Sequence, residues 1–148
     1  VPFAHQLPTL QSVHEQVQGK ILVDCTVPLV PPKVARVQLP EEGSAGARAQ
    51  RLLGEEVQVV SAFQNVGAEH LRGDHPIECD VLVAGDSPDA RRAVVELVEA
   101  AGMAAWQVGP LDNCVAAEAL TSLLIWINKK YGIRGSGIRI TGEPTKEP

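Results

Sequence analysis

Apolar positions along the chain switch repeatedly between two periods. Residues 21–25 are a short continuous apolar run, and 57–62, 79–84 and 104–108 repeat that pattern. Runs of this length bounded by Gly and polar residues predict strands buried in a mostly parallel sheet. Helical spacing lies between them. Leu10, Val13 and Val17 predict a helix over 9–18, with Thr9 as N-cap and Gly19 as its stop. Ser44 predicts a cap for a helix running through Leu53 to Gly54. Asp86 or Ser87 caps a third over 88–101, with Pro88 in its first turn and Ala90, Val94, Leu97, Val98 and Ala101 on one face. The fourth and longest runs over 113–130 and ends at Gly132.

The connections are as distinct. Val27-Pro28-Leu29-Val30-Pro31-Pro32 cannot be a central strand or a helix, since each Pro lacks an N–H. Residues 68–71 read as one helical turn, 137–141 as a last short strand, and 142–148 as a frayed tail. Val1-Pro2-Phe3 reads as the end of a buried strand, so that something precedes it. Strands alternating with helices predict an α/β domain on a Rossmann-like parallel sheet, followed by a long C-terminal helix and short strand. A boundary falls at Gly109-Pro110, dividing 1–108 from 109–148.

Composition narrows the function. The chain has 148 residues, enough for about one domain. With 45% apolar and 21% charged residues it is ordinary globular material, not a disordered chain. A net charge of −5 disfavours nucleic acid, because phosphate contacts need clustered Lys and Arg. The near-apolar stretch 120–127 is far short of the ~20 residues that span a bilayer, so no membrane partner is expected. No apolar segment follows a basic start, and Cys25, Cys79 and Cys114 are odd in number and contain no CxxC. Reduced thiols in a cytoplasmic protein are the expectation.

Acid, base and nucleophile patterns are thin. Glu69-His70 and Asp74-His75 lie close in sequence without a metal-ligand spacing, and read as a polar loop or, less simply, a metal site. Ser44 sits in Gly43-Ser44-Ala45-Gly46, not in a nucleophile elbow, and reads as a cap. Gly132, Gly135 and Gly137 follow a helix, whereas a dinucleotide fingerprint follows a strand, so they read as a C-cap and tight turn. No catalytic side chain and no metal ligand is assigned. Loops at strand carboxyl ends are where open α/β sheets bind ligands. Here they hold Pro28, the segment 61–68, and Gly109-Pro110-Leu111. They offer backbone groups, amides and apolar contacts, which suit either plain turns or hydride transfer governed by positioning.

The runs Gly19-Lys20-Ile21-Leu22-Val23-Asp24-Cys25-Thr26-Val27-Pro28-Leu29, Val60-Ser61-Ala62-Phe63-Gln64-Asn65-Val66, Val83-Ala84-Gly85-Asp86, and Gly109-Pro110-Leu111-Asp112-Asn113 with Glu118-Ala119-Leu120-Thr121 form an ordered set. In that order and spacing the chain resembles the NADPH-dependent reductases of the deazaflavin coenzyme F-420. The resemblance implies a Rossmann domain with a smaller C-terminal segment, usually a homodimer. It implies NADP(H) and coenzyme F-420 as cofactors, with direct hydride transfer between nicotinamide C4 and deazaflavin C5. Pro2, Phe3, Val27 and Pro28 would line the nicotinamide side, with Ala68 near it. Gln64, Asn65 and Val66 would face the deazaflavin, largely through backbone groups, and Ser136 would approach it from the C-terminal loop.

The resemblance covers the C-terminal two thirds of that family, whose N-terminal glycine-rich loop would precede Val1. The expectation is therefore weak NADPH binding by this chain alone. Lys129, Lys130, Arg134 and Arg139 read as a basic cluster for the coenzyme's anionic tail, or as cations placed by the helix dipole. Glu118 is the one acid on the long helix ahead of its basic end, too little for a substrate-protonating reductase. Alternatives are a flavin- or small-substrate-linked reductase on the same scaffold, or a non-catalytic interaction and dimerisation module.

Overall fold

The computed structural model describes residues 1–73 and 75–145. Four strands, β1 (Ile21–Asp24), β2 (Gln58–Ser61), β3 (Val81–Gly85) and β4 (Ala105–Gln107), form one sheet in the order β1-β2-β3-β4. Four helices, α1 (Gln6–Ser12), α2 (Ala45–Leu53), α3 (Pro88–Ala100) and α4 (Cys114–Tyr131), cover it. Alternation along β2 sends Val59 to one core and Val60 to the other. Val59 packs with Leu53, Ala84 and Leu111. Val60 packs with Val83, Val94 and Val98.

The α/β class holds, but the sheet is mixed rather than wholly parallel. β1 pairs with β2 in parallel, and so does β3 with β4, while β2 and β3 run antiparallel. A parallel return needs a crossover element. α2 provides one between β1 and β2, and α3 between β3 and β4. The connection from β2 to β3 holds only one 3-10 turn, His70–Arg72, so β3 comes back beside β2 in the opposite sense.

The caps follow the sequence closely. Ser44 Oγ accepts from Ala47 N at 3.0 Å, and Ser87, not Asp86, caps α3 by accepting from Ala90 N at 3.2 Å. Gly132 ends α4 in the left-handed conformation.

Other boundaries move. α1 begins at Gln6, before Thr9, because Pro8 falls in the first turn, where its missing N–H is not needed. It stops at Ser12, whose hydroxyl bonds back to Thr9 O at 2.7 Å, and Glu15–Val17 is a separate 3-10 turn. Val1-Pro2-Phe3 is not a buried strand: Val1 is exposed, and Phe3–His5 is a 3-10 turn. The single turn expected at 68–71 lies at His70–Arg72.

Residues 137–141 form no strand. Asp80 N donates to Ile138 O (2.8 Å) and Ile140 N donates to Asp80 Oδ2 (2.8 Å), so a side-chain carboxylate stands where a ladder partner would. Those bonds also delay β3 from Cys79 to Val81. Residues 142–145 are exposed, and Lys146, Glu147, Pro148 and Asp74 lie outside the described residues.

Candidate functional site

β1 and β2 are parallel neighbours, so Val27 and Pro28 after β1 and the 62–68 segment after β2 leave from one sheet edge. Gln64 joins them. Its Nε2 donates to Asp24 O at 2.8 Å and to Ser61 Oγ at 2.7 Å. The turn into this segment is forced through Phe63, among the described residues the one non-glycine residue at positive φ (71°). Such a conformation costs of order 1–2 kcal/mol for an L-residue. Bonds on both sides hold it there. Asn65 Nδ2 donates to Ala117 O (2.8 Å), and Thr121 Oγ1 donates to Gln64 O (2.8 Å), so α4 clamps the segment from behind.

Gly109-Pro110-Leu111 does not join this edge. These residues follow β4, which runs opposite to β1 and β2, and they reach the far edge, where Gly109 O accepts from Gly85 N. The sequence reading placed all three loops together because it took the sheet as parallel. The antiparallel junction separates them.

The other predicted residues fall in two groups. Pro28 is buried, Val27 half-buried, and Pro2 exposed beside a half-buried Phe3. Phe3 lies under Arg48, whose guanidinium carbon is 3.9 Å from the ring centroid. On the other side Gln64 and Asn65 are buried, Val66 is half-buried and Ala68 is exposed. Ser136 is drawn toward this side by α4: its N donates to Asn128 Oδ1 at 2.9 Å.

Between the 64–68 segment and the Ser136 loop runs a cleft of about 540 Å³ lined by Gly67, Glu69, His70, Arg134 and Gly135. His70 ties its two walls. One ring nitrogen meets Gly135 O at 3.0 Å and the other meets His75 Nε2 at 3.1 Å. The stretch around it is exposed and polar, but the His70 ring itself is tied to the C-terminal loop. Since a carbonyl only accepts, Nε2 carries the proton. Among the described residues no three His, Cys, Asp or Glu side chains converge on a metal position.

The basic residues are divided. Arg134 lines this cleft, Lys129 lines a different groove beside Trp126, and Arg139 pairs with Glu78 at 3.4 Å.

Glu118 is engaged elsewhere. It is 1% exposed and accepts from Ala45 N (2.7 Å) and Gly46 N (3.0 Å), the first turn of α2. Burial raises its pKa, and those two N–H groups pull it back. Gly46 permits this approach, since a Cβ there would meet Cys114 Sγ at 2.9 Å. Desolvation pushes the Cys114 thiol up to about 12, so it is a neutral packing group.

Residues missed by pattern reading are Gln6, Arg48, Asp80 and Asn128. Their signal was faint: a polar residue where neighbouring positions are apolar.

A curated F420-dependent NADP reductase of Methanothermobacter marburgensis is 41% identical over 151 residues, covering 97% of this chain and 67% of that protein. The chain belongs to the F420-dependent NADP reductase family. The namesake proteins of Methanothermobacter thermautotrophicus and Methanocaldococcus jannaschii are 40% and 39% identical, over 99% and 95% of the chain. The chain spans 66% and 65% of their lengths. No protein-family model matches it.

In fold it is similar to a candidate F420-dependent NADP reductase from Arthrobacter sp. FB24. The TM-score is 0.82 at 22% identity, covering 96% of this chain and 67% of that one. A hypothetical protein of Sinorhizobium meliloti gives 0.61 at 26% identity, with coverages of 80% and 56%. At the sheet edge the Gln64 and Asn65 amide nitrogens and the Thr121 hydroxyl are spent on holding backbone.

Proposed function

We propose that this chain carries the hydride-transfer half of an F-420–NADP oxidoreductase. The two cofactors would supply the hydride donor and acceptor, at nicotinamide C4 and deazaflavin C5. The task of the protein is to hold two rings face to face and to keep water away. One observation carries the reading: the loops after β1 and β2 leave the same edge and are joined by Gln64 to Asp24 O.

In this reading Pro2, Phe3, Val27 and Pro28 form an apolar wall for the nicotinamide, with Ala68 beside it. Gln64, Asn65 and Val66 face the deazaflavin, and Ser136 closes from the C-terminal loop. Two observations support the assignment. The cleft between the 64–68 segment and the Ser136 loop is of ligand size. Gln64 Oε1 is a buried acceptor with no partner among the described residues, at the edge where a ring amide would lie. For NADP the fit extends to the nicotinamide end. The sequence contains no G-x-G-x-x-G to cradle the phosphates.

A homodimer completes the proposal. Leu123 and Trp126 stand outward on α4 at 48% and 60% exposure, and single large apolar side chains at helical spacing suit a self-complementary face.

Titration of the chain with oxidised coenzyme F-420, followed by the deazaflavin absorbance and fluorescence, tests the reading. Saturable binding that weakens in Thr121→Val, where the clamp on Gln64 O is lost, supports it. Absence of binding at millimolar coenzyme leaves the interaction-module alternative in its place.

A further inference from the structure

Asp24 is a carboxylate 7% exposed at the end of β1, and among the described residues it forms no ion pair. A buried charge left so is costly. Its balance comes through Gln6, which is itself 1% exposed. Gln6 Nε2 donates to Asp24 Oδ2 at 2.7 Å and to Ala45 O at 3.0 Å, while Gln6 Oε1 accepts from Arg48 Nε at 2.9 Å. The amide can sit only this way round, because Asp24 and Ala45 O present acceptors and the guanidinium presents donors.

Both ends of this relay finish on the wall assigned to the nicotinamide. Asp24 Oδ1 accepts from Thr26 N at 2.9 Å, fixing the turn that enters Val27 and Pro28. Arg48 donates to Phe3 O at 3.0 Å and covers the Phe3 ring. A leucine or methionine at position 6 would fill the same space without burying an amide. The amide therefore costs desolvation, and what it adds is a fixed spacing between two segments 24 residues or so apart in the chain.

We propose that Gln6 is a positioning residue that, through Arg48 and Asp24, sets the gap between Phe3 and the Val27–Pro28 turn and so the hold on a nicotinamide ring. It touches no ring itself. The inference rests on the nicotinamide reading of that wall.

The test is a titration of the isotopically labelled chain with reduced nicotinamide mononucleotide, read from the backbone amide shifts of Phe3 and Val27. Gln6→Met and Arg48→Met each break the relay, and Arg48 is only half-buried, so its replacement disturbs the core less than that of the buried Gln6. The expected result is about fivefold weaker binding in each. The Thr26 amide moves in the free chain, while the Ser136 amide and the melting temperature stay near their original values. Wild-type shifts at Phe3 and Val27 with unchanged affinity in Arg48→Met overturn the inference and leave the reading standing. A large fall in melting temperature with Ser136 displaced also overturns it, as a merely structural defect. No shift at Phe3 or Val27 in the original chain removes the reading, and the inference with it.

Discussion

Glu118 holds a proton more tightly in the folded chain than an ordinary glutamate, because burial outweighs the two backbone donors it accepts from. The folded state therefore binds more protons than the unfolded one from pH 4.5 upward to the raised pKa, and this group's contribution to stability falls as pH rises through that window. Urea midpoints measured across it should show the original chain losing stability relative to Glu118→Gln. At low pH the Gln variant is the less stable by about 1–3 kcal/mol, since its amide nitrogen faces one of two N–H donors. A pH-independent difference between the two would contradict this.

The thiols follow the same physics. Cys79 and Cys114 are buried, Cys25 is exposed, and all three are raised, with desolvation the first cause. An aromatic disulfide reagent at mildly alkaline pH should label one thiol of the folded chain, at Cys25, and the other two only after unfolding.

At the scale of elements, the C-terminal loop is held by close contact more than by regular structure. Gly135 has φ +71°, and a Cβ there would lie 2.1 Å from His70 Nε2. Gly135→Ala should therefore push the loop off His70 and cost about 1–3 kcal/mol. In a His70→Ala background most of that cost disappears, leaving only the backbone preference. Melting temperatures of the two single variants and the double variant measure the coupling; simple additivity would contradict the contact.

The same loop shows where pattern reading stops. The extended run 137–141 has strand character in sequence. Its partner is the Asp80 carboxylate rather than another strand, and no local pattern encodes that. Ser44, Gly54 and Gly132 are legible because a cap or stop is a property of a few adjacent residues.

For the whole molecule, the homodimer proposed above rests on the outer face of α4. Trp126→Glu places a charge on that face without touching the sheet edge. If that face joins two copies, sedimentation should find the original chain dimeric and the variant monomeric at the same concentration, with coenzyme F-420 binding retained where the two loops come from one chain. An unchanged mass in the variant would move the dimer contact elsewhere.

The two βαβ units face opposite ways, and this decides which loops can meet. Pro28 and the 62–68 segment meet. Gly109-Pro110-Leu111 does not. A connector without a crossover helix is visible in the sequence. The sense in which the next strand returns depends on which neighbour it pairs with.

The amino-acid sequence by itself determined the α/β class, the approximate places of four helices and of the four strands that form, the caps at Ser44 and Gly132, and a family resemblance covering nearly the whole chain. These rest on periodicity, on residues a few places apart, and on ordered motifs. Tertiary structure alone decided the antiparallel junction, the removal of one loop from the site, the use of Glu118 on the α2 N-terminus, and the Asp24–Gln6–Arg48 relay. Each joins residues far apart in the chain through a hydrogen bond that is strong only because burial removes water. No spacing rule records it.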